Sequence, residues 1–244
     1  MKPFLLLQIR EQDGPANNEY ADFLKYGQLD ETDVVRIRME KQSFSQLNPE
    51  DFSAIIVGGG PANVSDEETI KSHAQRRYEK ELNSLYPRIF EKDIPFFGSC
   101  YGFGSIAAFA GAEISKTRFF EEVGFTQIKL NDASYSDKLF EDFPNTFKAF
   151  CGHKEACQDL PKGGVLLAGS DECPIQMIRF KKNIYAIQFH CELDAEGIAK
   201  RINYYKNHGY FDPEDAKKLI NKTKNIITEE AHLILRRFVE RYRV

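Results

Sequence analysis

The segment Ile94-Pro95-Phe96-Phe97-Gly98-Ser99-Cys100-Tyr101-Gly102-Phe103-Gly104 reads as an apolar strand, a Gly-x-Cys-x-Gly turn and the start of an apolar helix. Glycines two positions either side of a cysteine let the backbone turn sharply, as in a nucleophile elbow that lifts the reactive side chain to the top of a sheet. A thiol at a helix N-terminus also feels the helix dipole, which favours thiolate and can bring its pKa from about 8.5 into the range of roughly 3.5–7.5. The spacing makes Cys100 the candidate nucleophile. The competing reading is a buried structural cysteine beside a glycine turn.

A cysteine nucleophile needs a base, and the base needs an orienter. The histidines are His73, His153, His190, His208 and His232. His190 ends the apolar run Ile184-Tyr185-Ala186-Ile187-Gln188-Phe189, and Glu192 follows two residues later. In extended chain that spacing puts imidazole and carboxylate on one side. The carboxylate can then hold one ring nitrogen while the other faces Cys100, the logic of a Ser/Cys–His–acid triad. A His-x-Glu pair alone is commonly a surface feature; after a buried strand, and with a separate cysteine elbow, it is the leading candidate. His73, His208 and His232 lie on polar helical stretches and are expected to be solvated.

Two further groupings compete for attention. Cys151, His153 and Cys157 are close in sequence, and Cys173 and Cys191 could join them. The paired CxxC or HxxxH spacing of zinc sites is missing, so no metal is expected. Gly58-Gly59-Gly60-Pro61 has neither the Gly-Lys-Ser/Thr of a phosphate loop nor GxGxxG. Its better use is to offer backbone N–H groups to an oxyanion.

The elements that position these residues alternate. Phe4–Arg10 is an apolar run suited to a strand buried on both faces, Asn17–Tyr26 a short helix, and Asp33–Arg38 a second strand. Ala54–Val57 is a third, ending at the glycine loop. Thr69–Glu91 is a charged, periodic helix with Tyr78, Leu82, Leu85 and Ile89 on one side. Ile94–Phe97 is the strand before the elbow, and residues 102–110 the helix after it. This βαβ order predicts an α/β fold with a central, mainly parallel sheet. Gly124–Leu130, Thr146–Phe150, Val165–Ser170, Ile175–Phe180 and Ile184–His190 are short strands between Gly, Pro and Asp turns, which predicts a smaller antiparallel strand element. The tail is helical from about residue 195. Asp212-Pro213-Glu214 is a strong helix start, and a last helix begins near Thr228 with Leu233, Leu235 and Phe238 inward.

The chain has 244 residues, 42% hydrophobic and 29% charged, which fits a soluble globular protein read as one domain, 1–244. Its longest early apolar run, Phe4–Ile9, is far shorter than a membrane span and lacks a signal-peptide pattern. Five cysteines without repeated CxxC spacing argue against a disulfide framework and for a reducing cytoplasm. Net charge is −4, yet residues 195–244 carry 11 Lys/Arg against 7 Asp/Glu. Those cations are interleaved with acids, so a solvated helical face is the expected reading, with a patch for an acidic partner as the alternative. Nucleic-acid binding and membrane insertion are not expected.

With these motifs in order, the sequence resembles the class I glutamine amidotransferases, particularly stand-alone GMP synthase-like members. Gly59-Gly60-Pro61 is similar to the family's Gly-Gly-Pro loop, Gly98-Ser99-Cys100-Tyr101-Gly102 to its nucleophile elbow, and Gly152-His153-Lys154-Glu155-Ala156 to a substrate-side loop. Phe189-His190-Cys191-Glu192 resembles the family's Phe-His-Pro-Glu, with Cys191 in place of the proline.

The resemblance implies a flavodoxin-like three-layer sandwich without a cofactor. It implies that Cys100 attacks a γ-glutamyl amide, that His190 moves the proton and that Glu192 orients His190. The N–H groups of Gly60 and Tyr101 would stabilise the oxyanion, and Gly59, Gly104, Gly152 and His153 would lie on the substrate. The substrate would be glutamine, and a separate synthase subunit could accept the ammonia. Gly104 stands where the family usually has Gln, which normally helps hold the glutamate moiety. A larger γ-glutamyl compound is therefore the alternative substrate, and a non-catalytic binding or regulatory protein the alternative class.

Overall fold

A computed structural model of the protein describes residues 2–243. The elements, in chain order, are β1 (Phe4–Gln8), α1 (Asp13–Gly27), β2 (Val34–Arg38), β3 (Ile55–Val57), α2 (His73–Lys92), β4 (Phe96–Ser99) and α3 (Tyr101–Phe109). There follow β5 (Ile114–Ser115), β6 (Glu121–Leu130), β7 (Thr146–His153), β8 (Ala156–Cys157), β9 (Gly164–Gly169), β10 (Met177–Phe180) and β11 (Ile184–Ile187). The chain then runs through α4 (Ala195–Tyr205), α5 (Ala216–Thr223) and α6 (Glu229–Tyr242).

One nine-stranded sheet has the order β2-β1-β3-β4-β11-β10-β9-β6-β7, and β5 pairs with β8 in a small second sheet. From β2 to β11 neighbours are parallel; from β11 to β7 they are antiparallel. The antiparallel element expected from the second half of the sequence thus extends the same sheet. β1 shows why helices cover both faces of the parallel part. Phe4 and Leu6 join the core that includes Phe23 of α1 and Phe238 of α6. Leu5 and Leu7 join the core that includes Leu82 and Tyr86 of α2 and Phe103 of α3. Each fully buried large apolar side chain contributes about 1.5–3 kcal/mol relative to an exposed one, so the sandwich is held from both sides.

Several boundaries differ from expectation for identifiable reasons. α1 begins at Asp13, because Pro15 is compatible with a helix's first turn. α2 begins at His73, where the Ser72 side chain caps the helix by accepting from the Gln75 N–H. In α6 Ile234, rather than Leu233, joins Leu235 and Phe238 in the core. His232 is also corrected: it is buried, stacked on Tyr26 with ring centroids 3.6 Å apart. Its ring nitrogens lie 2.8 Å from the Cys191 carbonyl and 3.0 Å from the Thr228 hydroxyl. His73 and His208 are exposed, as expected. Among the described residues no helix is long and apolar enough to cross a membrane.

Candidate active site

Three adjacent parallel strands end at one level, and their loops make the site. Ile187 of β11 is in register with Ser99 of β4, and Val57 of β3 with Gly98. Residues just past each strand, Cys100, His190 and the glycine loop 58–61, are thereby delivered to the same carboxyl edge, where open α/β sheets bind ligands.

Cys100 sits at the N-cap of α3 with φ 52° and ψ −96°. Left-handed backbone at a non-glycine residue is strained, and such strain at a strand–helix corner is what aims a nucleophile outward. The turn is held by the Cys100 N–H donating to the Ile187 carbonyl at 2.8 Å. A Cβ on Gly98 would lie 2.7 Å from the Gly102 backbone, so the tight elbow requires glycine there. The Tyr101 N–H, at the first helical position, has no acceptor within its own helix.

His190 is tethered by its N–H donating to the Phe150 carbonyl at 2.8 Å. Its Nδ1 lies 2.8 Å from Glu192 Oε1, and Glu192 is fully buried. Arg201 of α4, only 5% exposed, donates through Nη1 to the same carboxylate oxygen at 3.0 Å. Among the described residues Glu192 Oε2, Arg201 Nε, Arg201 Nη2 and Asp22 Oδ2 are buried without hydrogen-bond partners. Arg201 Nη2 is 3.9 Å from Asp22 Oδ2. Behind this group Arg10, two residues past β1, donates to Glu19 Oε1 and to the Tyr205 hydroxyl, each at 3.0 Å.

The electrostatics differ from the sequence expectation at the thiol. Burial pushes the Cys100 thiol up to about 12, outweighing the lowering by Arg10 and Arg201. Burial likewise lowers His190, although Glu192 opposes it. For Glu192 burial acts upward, but the charges of His190 and Arg201 more than offset it and hold the carboxyl well below the usual range. Burial thus works against a preformed thiolate at Cys100.

Two narrow cavities meet at the thiol. The first, about 50 Å³, is lined by His190, Arg10, Gly60 and Tyr205 among others. The second, about 20 Å³, is lined by Tyr101, Gly104, Gly152, His153, Glu155 and Gln188 among others. Gly60, Cys100, Gly152 and Tyr210 line both. Gly59 stands between Cys100 and His190: a Cβ there would be 2.9 Å from His190 Cε1 and 3.1 Å from Cys100 Cβ.

His153 lines the second cavity with both ring nitrogens already engaged, one 2.9 Å from Glu121 Oε2 and the other 2.9 Å from the Glu155 carbonyl. Glu155 accepts from the Val64 and Ser65 N–H groups at 2.7 and 2.8 Å. Cys151, Cys157 and Cys173 are buried with their sulfurs turned to backbone carbonyls. Among the described residues no three metal-ligating side chains cluster. Arg10, Arg201, Gln188 and Tyr210 were not singled out by sequence reasoning. Only Arg10 carried a signal, as a charged residue closing a buried parallel strand.

The sequence profile of the class-I glutamine amidotransferases matches residues 24–219. The chain belongs to that family. It is 30% identical over 181 residues to a subunit of the glutamine-hydrolyzing GMP synthase of Methanosphaera stadtmanae, covering 74% of this chain and 84% of that one. The subunit of the same name from Thermoplasma volcanium is 29% identical over 196 residues, 80% of this chain and 86% of that one. The glutamine-hydrolyzing GMP synthase of Thermosipho africanus is 30% identical over 190 residues, which is 73% of this chain but 34% of that protein. The chain thus spans about a third of that longer relative. The amidotransferase fold is shared with a glutamine amidotransferase crystal structure from Thermotoga maritima, at TM-score 0.77 and 21% identity over 98% of this chain and 99% of that one.

Proposed function

We propose that this amidotransferase-family protein hydrolyses a γ-glutamyl amide, glutamine to glutamate and ammonia, with Cys100 as nucleophile, His190 as base and Glu192 as orienter. The observation that carries the reading is the buried 2.8 Å contact between His190 and Glu192, level with a left-handed cysteine on the neighbouring strand's end. An acceptor-only carboxylate keeps a proton on Nδ1 and leaves Nε2 free to take the thiol proton. Because burial opposes thiolate in the resting site, proton transfer accompanies attack on the amide carbon. The Gly60 and Tyr101 N–H groups receive the developing oxyanion. His190 then protonates the departing nitrogen, and water deprotonated by the same residue cleaves the γ-glutamyl thioester.

The glutamate moiety belongs in the cavity of Tyr101, Gly104 and Glu155, on the side away from His190. Gly104 leaves room there for the substrate, Gly152 forms part of the wall and Gly59 keeps the space beside the thiol open, while His153 holds the loop that carries Glu155. The chemistry asks for no metal or cofactor. Residues 1–244 act as one unit with a helical extension, since α4 supplies Arg201 to the triad and α6 grips the Cys191 carbonyl. Two of the relatives are named as one subunit of GMP synthase. That supports a separate ammonia-accepting synthase subunit for this chain, and with it a cytoplasmic setting.

The test is ammonia release from glutamine by wild type, Cys100→Ala and His190→Asn, with labelling by an electrophilic glutamine analogue. Activity and label should both disappear with Cys100. Turnover surviving in Cys100→Ala, or label on Cys151, Cys157 or Cys173, would remove the assignment.

A further inference from the structure

The cavity on the His190 side holds more than ammonia needs. A water-sized molecule requires about 10–15 Å³ measured this way, and the space here is about 50 Å³. His190 borders this cavity and not the second one. Since the base must reach the departing nitrogen, the leaving group lies here. Apart from the triad, the walls are largely apolar, from Val123, Leu193, Ile198 and Phe211, with two guanidinium groups among them: Arg201, which is turned to Glu192, and a second whose one arm lies beside the thiol and base.

That arm belongs to Arg10. Its Nε is held by Glu19 and its Nη1 by the Tyr205 hydroxyl, while Nη2 has no hydrogen-bond acceptor among the described residues. Nη2 lies 3.5 Å from the point where a Cβ on Gly59 would stand, the same point that touches Cys100 and His190. The side chain is 3% exposed and pinned at two nitrogens, so the free arm is preorganised. Guanidinium arms fit carboxylates.

We infer that Arg10 reads a carboxylate on the leaving amine, so that the site takes γ-glutamyl derivatives of small α-amino acids in addition to glutamine. This rests on the Cys100–His190–Glu192 reading and extends it to the leaving group. The Cys100 sulfur bonds to the γ-carbonyl carbon, the C–N bond breaks, and the nitrogen takes the proton from His190. The free amino acid departs while its carboxylate is held by Nη2. Water then releases glutamate.

The experiment compares kcat/KM for γ-glutamylalanine, γ-glutamylethylamide and glutamine. The first two differ chiefly in the carboxylate. Wild type should favour γ-glutamylalanine over the ethylamide by about tenfold or more, the scale of one hydrogen bond to a charged group. In Arg10→Gln that ratio should fall towards one. Arg10→Lys retains a cation for Glu19 but withdraws the third nitrogen, and should lose most of the ratio even if Arg10→Gln does not fold. Equal use of the two amides by wild type, or a ratio that survives in Arg10→Lys, overturns the inference while glutamine hydrolysis would leave the triad reading standing. If none of the three compounds is cleaved and Cys100 takes no label, the triad reading fails and the inference falls with it.

Discussion

Arg201 Nη1 stands 3.0 Å from Glu192 Oε1 and 3.2 Å from His190 Nδ1, which makes α4 part of the electrostatic frame of the His190–Glu192 pair. Burial is the first cause of the lowered His190 pKa, and the Arg201 charge adds to it. Removing that charge should raise the His190 pKa, so the base stays protonated to higher pH. Arg201→Gln should therefore move the acid limb of the kcat/KM profile upward and lower kcat by about tenfold to a hundredfold, as when an orienting contact is lost. Arg201→Lys should recover part of both. A variant that loses activity with an unmoved acid limb would reduce Arg201 to a packing residue.

Gly59 offers a different test, because its missing side chain is what lets His190 and Cys100 approach. Gly59→Ala would put a methyl group within 2.9 Å of His190 Cε1 and 3.1 Å of Cys100 Cβ. The imidazole must swing away, and a displacement of about 1 Å commonly costs about a hundredfold in rate. Circular dichroism and thermal unfolding should stay close to wild type while turnover drops by that factor. Retained turnover would mean that His190 does not work from its observed position.

Asp22 shows the other consequence of burying charge near the site. Burial raises its carboxyl to about 7 despite the opposing Arg201 charge. A carboxyl with a folded-state pKa above its unfolded value holds its proton more tightly when folded. Its contribution is fully present below about pH 4 and is lost as pH rises towards 7. Asp22→Asn should consequently stabilise the protein at pH 8 by about 1–3 kcal/mol and do little at pH 4. Urea unfolding of both proteins at the two pH values measures this, and a destabilised variant at pH 8 would show that the Asp22–Arg201 attraction outweighs the burial cost.

What could be read from the chain alone follows the range of the interactions involved. The elbow was legible because Gly98 and Gly102 act on the backbone within two residues of Cys100. The His190–Glu192 pair was legible because i and i+2 share a side in extended chain. Arg201 was not, since a cation in an interleaved tail looks solvated until α4 folds back against Glu192. His232 misled for the same reason: its helix looks polar, yet Tyr26, far away in the chain, supplies the stacking surface. The thiol is the sharpest case. A helix dipole is local and visible in sequence, whereas the desolvation that overrides it depends on walls drawn from distant elements.

Gly104 brings both substrate readings to a single position. A Cβ there meets only ordinary contacts, 3.4 Å to Val64 Cγ2 and 3.6 Å to Glu155 Oε1. Gly104→Ala should accordingly keep activity within about twofold, in the range of a tolerated small substitution. A glutamine side chain is longer, and its outward path is bounded by Glu155, which is fixed by two backbone donors. The carboxamide would press on the loop at Val64 or fill the cavity proposed for the glutamate moiety. Gly104→Gln is therefore expected to raise KM for γ-glutamyl substrates by about tenfold, equivalent to roughly 1.4 kcal/mol, with kcat less affected. Steady-state kinetics on glutamine and γ-glutamylalanine decide the matter. If Gly104→Gln instead lowers KM for glutamine, the protein's own glycine marks a lost substrate anchor rather than a space shaped around Glu155.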